Sequence, residues 1–200
     1  APMKDSGVEW LGQVPEHWEV GKLKNYAILI SNKLPIANEK VIALENIESF
    51  TGEFIKTSSE YSGEGVLSVE GDILFGKLRP YLAKVFLCKE SIYSFGDLLV
   101  YRSKSKVLPE FLFYIMISDA FVKIVDSSTY GAKMPRASTE FVNDMRLVVP
   151  SINEQEIIVK ELSEKIEKIK EINQKVFSSS NLLQERKTAL ISAAVTGKID

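Results

Sequence analysis

The segment from Asn153 to Ala194 restricts this chain most, because it contains neither proline nor glycine. Within it Leu162, Ile169, Val176, Leu183 and Leu190 recur at intervals of seven, and Ile158, Ile166, Ile172 and Ala193 fill neighbouring positions. A seven-residue repeat sustained over several heptads puts one apolar stripe along a helix, and such a stripe needs a partner. At a rise of about 1.5 Å per residue the rod approaches ~60 Å. That is too long to bury against one small domain, so a second helix is expected to cover it. An amphipathic helix folded back on its own domain is the alternative. The start fits a capping box, either Ser151 with Glu154 or Asn153 with Glu156, and Gly197 closes the helix. Ser178 to Ser180 interrupt the stripe with residues of modest helix propensity, so a kink is expected there.

Everything before this segment has another texture. Residues 1–150 hold all seven prolines, both tryptophans and all but one of the eleven glycines. Short apolar runs separated by turn residues read as strands: Val41 to Leu44, Ile73 to Phe75, Val85 to Cys88, Leu98 to Tyr101 and Met145 to Val149. Leu108 to Val125 reads as one helix, with Pro109 in its first turn and Phe111, Tyr114, Ile115, Ser118, Phe121 and Val122 near one face. The expected fold class is α/β (mixed α+β), with strand order left open. A globular domain over residues 1–150 is followed by a long coiled-coil-forming helix over 151–200.

Several function classes recede on composition. No run approaches the ~20 apolar residues that span a bilayer. Ala1 to Trp10 lacks a basic region followed by an apolar core, so no secretory signal is expected and a cytoplasmic location is the default. Cys88 is the single cysteine and His17 the single histidine, which leaves no disulfide, no metal-ligand cluster and no Ser-His-Asp set. No phosphate-binding glycine loop is present, and Gly63-Glu64-Gly65 is acidic and lacks the rest of a dinucleotide fingerprint. The expectation is a non-catalytic chain without cofactors.

The net charge is -2, which hides an asymmetry. Residues 39–72 carry two lysines against eight acids, a net of -6, whereas residues 76–136 carry ten basic residues against five acids, a net of +5. A polyanion responds to local potential rather than to the sum over the chain.

Three stretches concentrate the remaining signal. In Gly71-Asp72-Ile73-Leu74-Phe75-Gly76-Lys77-Leu78-Arg79-Pro80-Tyr81 a buried strand leads into a glycine-flexed turn that displays Lys77 and Arg79, with Tyr81 as a stacking surface. Arg offers a planar donor fork and Lys a point charge, and both suit phosphate or guanine. In Thr129-Tyr130-Gly131-Ala132-Lys133-Met134-Pro135-Arg136-Ala137-Ser138 glycine and proline mark a loop rich in hydroxyls, with Lys133 and Arg136 as cations. Each taken alone is also compatible with a solvated surface turn. The third stretch, Glu185 to Asp200, puts small residues at a helix end and suggests no chemistry.

These segments resemble recurrent parts of type I restriction-modification specificity subunits. So do the opening, Asp5-Ser6-Gly7-Val8-Glu9-Trp10-Leu11-Gly12-Gln13-Val14-Pro15-Glu16-His17-Trp18-Glu19-Val20, and the join Val149-Pro150-Ser151-Ile152-Asn153-Glu154-Gln155. Residues 21–70 carry no recognised motif, which fits recognition domains that vary with their target. The resemblance implies one target-recognition domain reading half of a split DNA sequence, and a spacer helix that pairs antiparallel with another. It implies assembly with methyltransferase subunits, which use S-adenosylmethionine, and a restriction subunit, which uses ATP. It nominates Lys77, Arg79, Lys133 and Arg136 as DNA-binding residues, supported by Tyr81, Tyr130 and Ser138. The family's usual subunit has two recognition domains and two helices, where this chain has one of each. It is therefore either half of a longer protein or a half-length subunit that dimerises and reads a palindromic bipartite target. A protein-interaction adaptor with a dimerising coiled coil and no DNA role, and an orphan DNA-binding regulator, are the alternatives.

Overall fold

The computed structural model describes residues 2–36, 40–131 and 133–198. Glu39 of the acidic stretch, Ala132 of the second motif, and Ile199 and Asp200 of the third lie outside the described residues.

The elements run β1 (Met3–Asp5), β2 (Gln13–Pro15), β3 (Glu19–Lys22), α1 (Leu23–Tyr26), β4 (Ala27–Ile30), β5 (Lys33–Pro35), β6 (Val41–Ile42), β7 (Glu64–Ser68), β8 (Asp72–Gly76), β9 (Val85–Leu87), β10 (Ile92–Ser94) and β11 (Leu98–Ser103). Then follow α2 (Pro109–Ile117), α3 (Asp119–Ser127), α4 (Thr139–Asp144), β12 (Arg146–Val149) and α5 (Ile152–Val195). Two four-stranded sheets dominate, ordered β5-β7-β10-β6 and β4-β11-β8-β9, and two-stranded pairs join β1 to β2 and β12 to β3. Every pairing is antiparallel except β10 with β6.

Successive side chains of a strand point to opposite faces. Leu74 of β8 and Leu98 and Val100 of β11 therefore join a core with Ile42, Val66 and Ile92 of the other large sheet, together with Ile47 and Cys88. Burial pushes the Cys88 thiol up to about 12, and the nearby Asp72 charge adds to this, so the thiol is an inert part of the core. The alternate residues of β8 face the helices: Phe75 meets Phe121 of α3 edge to face, with ring centroids 5.8 Å apart. Strand β8 is buried throughout, hence its unbroken apolar run.

The structure corrects two local readings. Val41 to Leu44 is not one strand: β6 ends at Ile42 and Leu44–Asn46 form a 3-10 turn. Leu108 to Val125 is not one helix. Ser118 ends α2 and caps α3, its side chain accepting from the Phe121 N–H, so a residue placed on a helical face is a hinge between two helices. Helix α5 runs unbroken through Ser178 to Ser180. Propensity differences of a few tenths of a kcal/mol per residue do not interrupt a helix of this length.

Two compact units result, Ala1–Glu156 and Ile157–Asp200. The first turn of α5 belongs to the first unit. Of the two possible capping boxes Ser151 with Glu154 forms: the Ser151 N–H and hydroxyl donate to Glu154 Oε2 at 3.0 and 2.7 Å, and the Glu154 N–H donates back to Ser151 Oγ. Glu154 also accepts from Trp18 Nε1 and pairs with His17 Nε2 at 2.7 Å. Gln155 is fully buried, accepting from the Leu108 N–H and donating to the Lys106 and Pro150 carbonyls. In the second unit Leu162, Ile169, Val176, Leu183 and Leu190 are all exposed. The helix closes as expected, with Gly197 at φ 68°, the Gly197 N–H donating to Ala194 O and the Lys198 N–H to Ala193 O.

Candidate nucleic-acid interface

The two cationic motifs, far apart in sequence, are joined through their backbones. The chain leaving β8 runs beside the second motif, with the Ala137 N–H donating to Lys77 O at 2.9 Å and the Arg79 N–H to Pro135 O at 2.7 Å. Leu78 and Arg136 form an antiparallel bridge. Arg136 also exchanges two backbone hydrogen bonds with Tyr130, which brings the two ends of the second motif together. Lys77, Arg79 and Arg136 thus belong to one small antiparallel patch.

A third loop completes it. Asp97, between β10 and β11, accepts the Lys77 N–H on its backbone carbonyl. Its carboxylate takes Arg136 Nε and Nη2 at 3.3 and 3.0 Å and stands 3.7 Å from Lys77 Nζ. The hydrogen bonds to Asp97, with its charge, raise the Arg136 pKa above the ordinary arginine value. Arg136 commits one edge of its guanidinium to this carboxylate and keeps Nη1 for another acceptor. In the sequence Asp97 is one of five acids within a basic segment, and nothing in its spacing ties it to the two motifs.

The first motif turns differently from the expected glycine-flexed bend. Gly76 is needed for space: a β-carbon there would stand 2.6 Å from Leu44 Cδ2 and 3.1 Å from Lys84 O. The reversal is made instead by Arg79 and Ala83, both left-handed, on either side of a 3-10 turn over Pro80–Leu82. Arg79 is exposed and makes no ion pair among the described residues. Tyr81 is 46% exposed, Tyr130 67%, and Lys133 is exposed. Ser138 has a structural task, since its hydroxyl oxygen caps α4 by accepting from the Phe141 N–H.

The basic excess of residues 76–136 is smaller in space than in sequence. Arg102 pairs bidentately with the fully buried Asp72 at 2.8 Å on both arms. Lys106 pairs with Glu19 and Lys123 with Asp119. Lys84 donates to the Leu44 and Ile47 carbonyls, and its burial lowers its pKa. Among the described residues no cluster of acids, histidine and cysteine could hold a metal ion, and no helix is long and apolar enough to cross a membrane.

A family model for the type I restriction modification DNA specificity domain matches residues 15–177. The chain belongs to that family. Specificity-domain relatives include the specificity subunit of the type I restriction enzyme MjaVIII of Methanocaldococcus jannaschii, 26% identical over an alignment of 160 residues that covers 70% of this chain and 37% of that protein. The EcoDI specificity subunit of Escherichia coli is 24% identical over an alignment of 151 residues that covers 70% of this chain and 33% of that one. The fold matches the HsdS subunit from Thermoanaerobacter tengcongensis with a TM-score of 0.62 at 19% identity, covering 80% of this chain and 45% of that one. It matches a chain from a structural study of type I R-M complex assembly with a TM-score of 0.67 at 18% identity, covering 89% of this chain and 50% of that one. This specificity-domain chain therefore spans between a third and a half of the proteins it resembles.

Proposed function

We propose that the chain is the DNA-reading portion of a type I specificity subunit. It is a non-catalytic module in which residues 1–150 recognise one half of a bipartite target and the helix over 151–200 fixes the distance to a second half. The observation that carries this reading is the joining of two separate cationic motifs into one backbone-paired patch, with Lys77 and Arg136 held by Asp97. Arg79, Lys133, Tyr81 and Tyr130 add exposed charge and aromatic surface beside it. A fixed guanidinium with one free edge is prepared to meet a phosphate or a guanine without reorganising. Ser138, whose hydroxyl oxygen caps the start of α4, keeps its hydroxyl proton to donate to a phosphate. The exposed seven-residue stripe of α5 supports pairing with an antiparallel helix, from a second copy or a second recognition half. Partners are double-stranded DNA, methyltransferase subunits and a restriction subunit, and the place of action is the cytoplasm. The protein-interaction adaptor gains nothing from the family match.

Gel shifts with random duplex at low salt test this reading. Binding that weakens steeply as salt rises is the expected result. Lys77→Ala and Arg136→Ala should each weaken it, by about threefold to tenfold for a single phosphate contact. No binding of the wild-type chain at low salt would falsify the DNA role. Unchanged affinity in both variants would remove the site assignment while leaving the DNA role open to other residues.

A further inference from the structure

Three residues other than glycine adopt left-handed backbone among the described residues: Phe50 at φ 66°, Arg79 at φ 51° and Ala83 at φ 47°. A β-carbon makes that conformation costly, so it persists only where the surroundings impose it. The three are linked. Arg79 and Ala83 bracket the 3-10 turn of the cationic patch, and the Phe50 N–H donates to Ala83 O at 3.2 Å.

The loop carrying Phe50 is built as a rigid extension of that turn. Lys84 Nζ donates to the Leu44 and Ile47 carbonyls at 2.7 and 2.8 Å. Asn46 accepts the Ala43 N–H and donates to Ile55 O and Thr57 Oγ1. Ile47 and Phe54 form an antiparallel bridge, and the Glu48 N–H donates to Glu53 O. Gly52 packs so closely that a β-carbon would stand 2.5 Å from Val85 O. At the tip of this fixed loop Phe50 is 61% exposed. Packing does not explain a large apolar side chain held out by a strained, heavily bonded turn, whereas contact with a ligand does.

We infer that Phe50 is a base-contacting residue, making apolar contact with a base edge such as the thymine methyl, and that Lys84 is the positioning residue that fastens its loop to the cationic patch. The inference rests on the DNA-reading function proposed above. Glu48 and Glu53 flank the tip, which disfavours phosphate and leaves base edges as the part of a duplex this loop accepts. The thymine methyl is the apolar feature of the major groove, and a carboxylate beside it accepts from the cytosine amino group.

The test offers the full chain, as wild type, Phe50→Asn, Phe50→Ala and Lys84→Met, a randomised duplex library, with bound sequences determined and thermal melts run alongside. Asn enters the left-handed region more readily than other L-residues, so Phe50→Asn keeps the loop intact. The wild type is expected to enrich a motif. Both Phe50 variants should lose preference at one or two adjacent positions, Lys84→Met should blur the same positions, and affinity for the wild-type motif should fall about tenfold with random-duplex affinity unchanged. An unchanged motif with unchanged affinity overturns the inference and leaves the DNA-reading function standing. A uniform loss on selected and random duplex alike overturns it too, because a base reader leaves phosphate contacts untouched. If the wild type enriches nothing, the inference falls with the sequence-reading function beneath it.

Discussion

Lys77 and Arg136, one after a buried strand and the other near the end of the second motif, meet on the carboxylate of Asp97, whose two oxygens stand 3.7 Å from Lys77 Nζ and 3.0 Å from Arg136 Nη2. The carboxylate fixes their positions and also cancels part of their field. Replacing it should therefore separate grip from discrimination. In Asp97→Asn, affinity for random duplex is expected to rise and the slope of log K against log salt to steepen by about one per freed phosphate contact. Preference for the selected motif over random duplex should shrink. A salt titration of the wild type and Asp97→Asn on both duplexes measures this, and a fall in random-duplex affinity would show that orientation outweighs charge.

Arg79 allows function to be separated from folding. Its left-handed backbone is strained for any residue with a β-carbon, and its side chain is exposed. Glycine relieves the strain at some cost in unfolded-chain entropy, so Arg79→Gly should be more stable than the wild type by about 0.5 kcal/mol. The same change should weaken DNA binding by about threefold to tenfold through loss of one cation. Denaturant melts and gel shifts on one preparation check both halves of the prediction.

The join between the globular unit and its helix depends on one buried amide. Gln155 satisfies the Leu108 N–H and the Lys106 and Pro150 carbonyls. Gln155→Leu has nearly the same volume but leaves all three groups without a partner, and should cost about 3 kcal/mol. Urea unfolding gives the value. A loss below about 1 kcal/mol would mean that water reaches these groups.

The start of the same helix carries a pH dependence. Hydrogen bonds from Ser151, then His17, hold the Glu154 carboxyl well below its ordinary value, at about 2. A carboxylate whose folded pKa lies below its unfolded one stabilises the fold above the unfolded pKa and loses that contribution as pH falls through the folded one. The loss is expected between about pH 4.5 and pH 2. Melting temperatures of the wild type and Glu154→Gln should differ at neutral pH and converge across that window. Curves that stay parallel down to pH 2 would show that Glu154 contributes nothing to this dependence.

Local pattern carried much of this protein. The seven-residue apolar repeat specified α5 and Gly197 its end, and two serine/asparagine–glutamate spacings offered its cap, of which the structure forms Ser151 with Glu154, because helix periodicity and capping are short-range properties. Buried strands such as β8 were legible as apolar runs, and the motif order was enough for the family. The short strands β5 and β10 escaped because strands of three residues carry almost no periodic signal. The break at Ser118 escaped because the same serine fits a helical face and a helix cap. What only the tertiary structure decided was which charges meet. Asp97 with Lys77 and Arg136, Asp72 with Arg102, and Lys84 with two carbonyls of the Phe50 loop are contacts between segments distant in the chain. Strand order sets such contacts, and no local spacing encodes strand order, so the residues were readable in sequence and their partners were not.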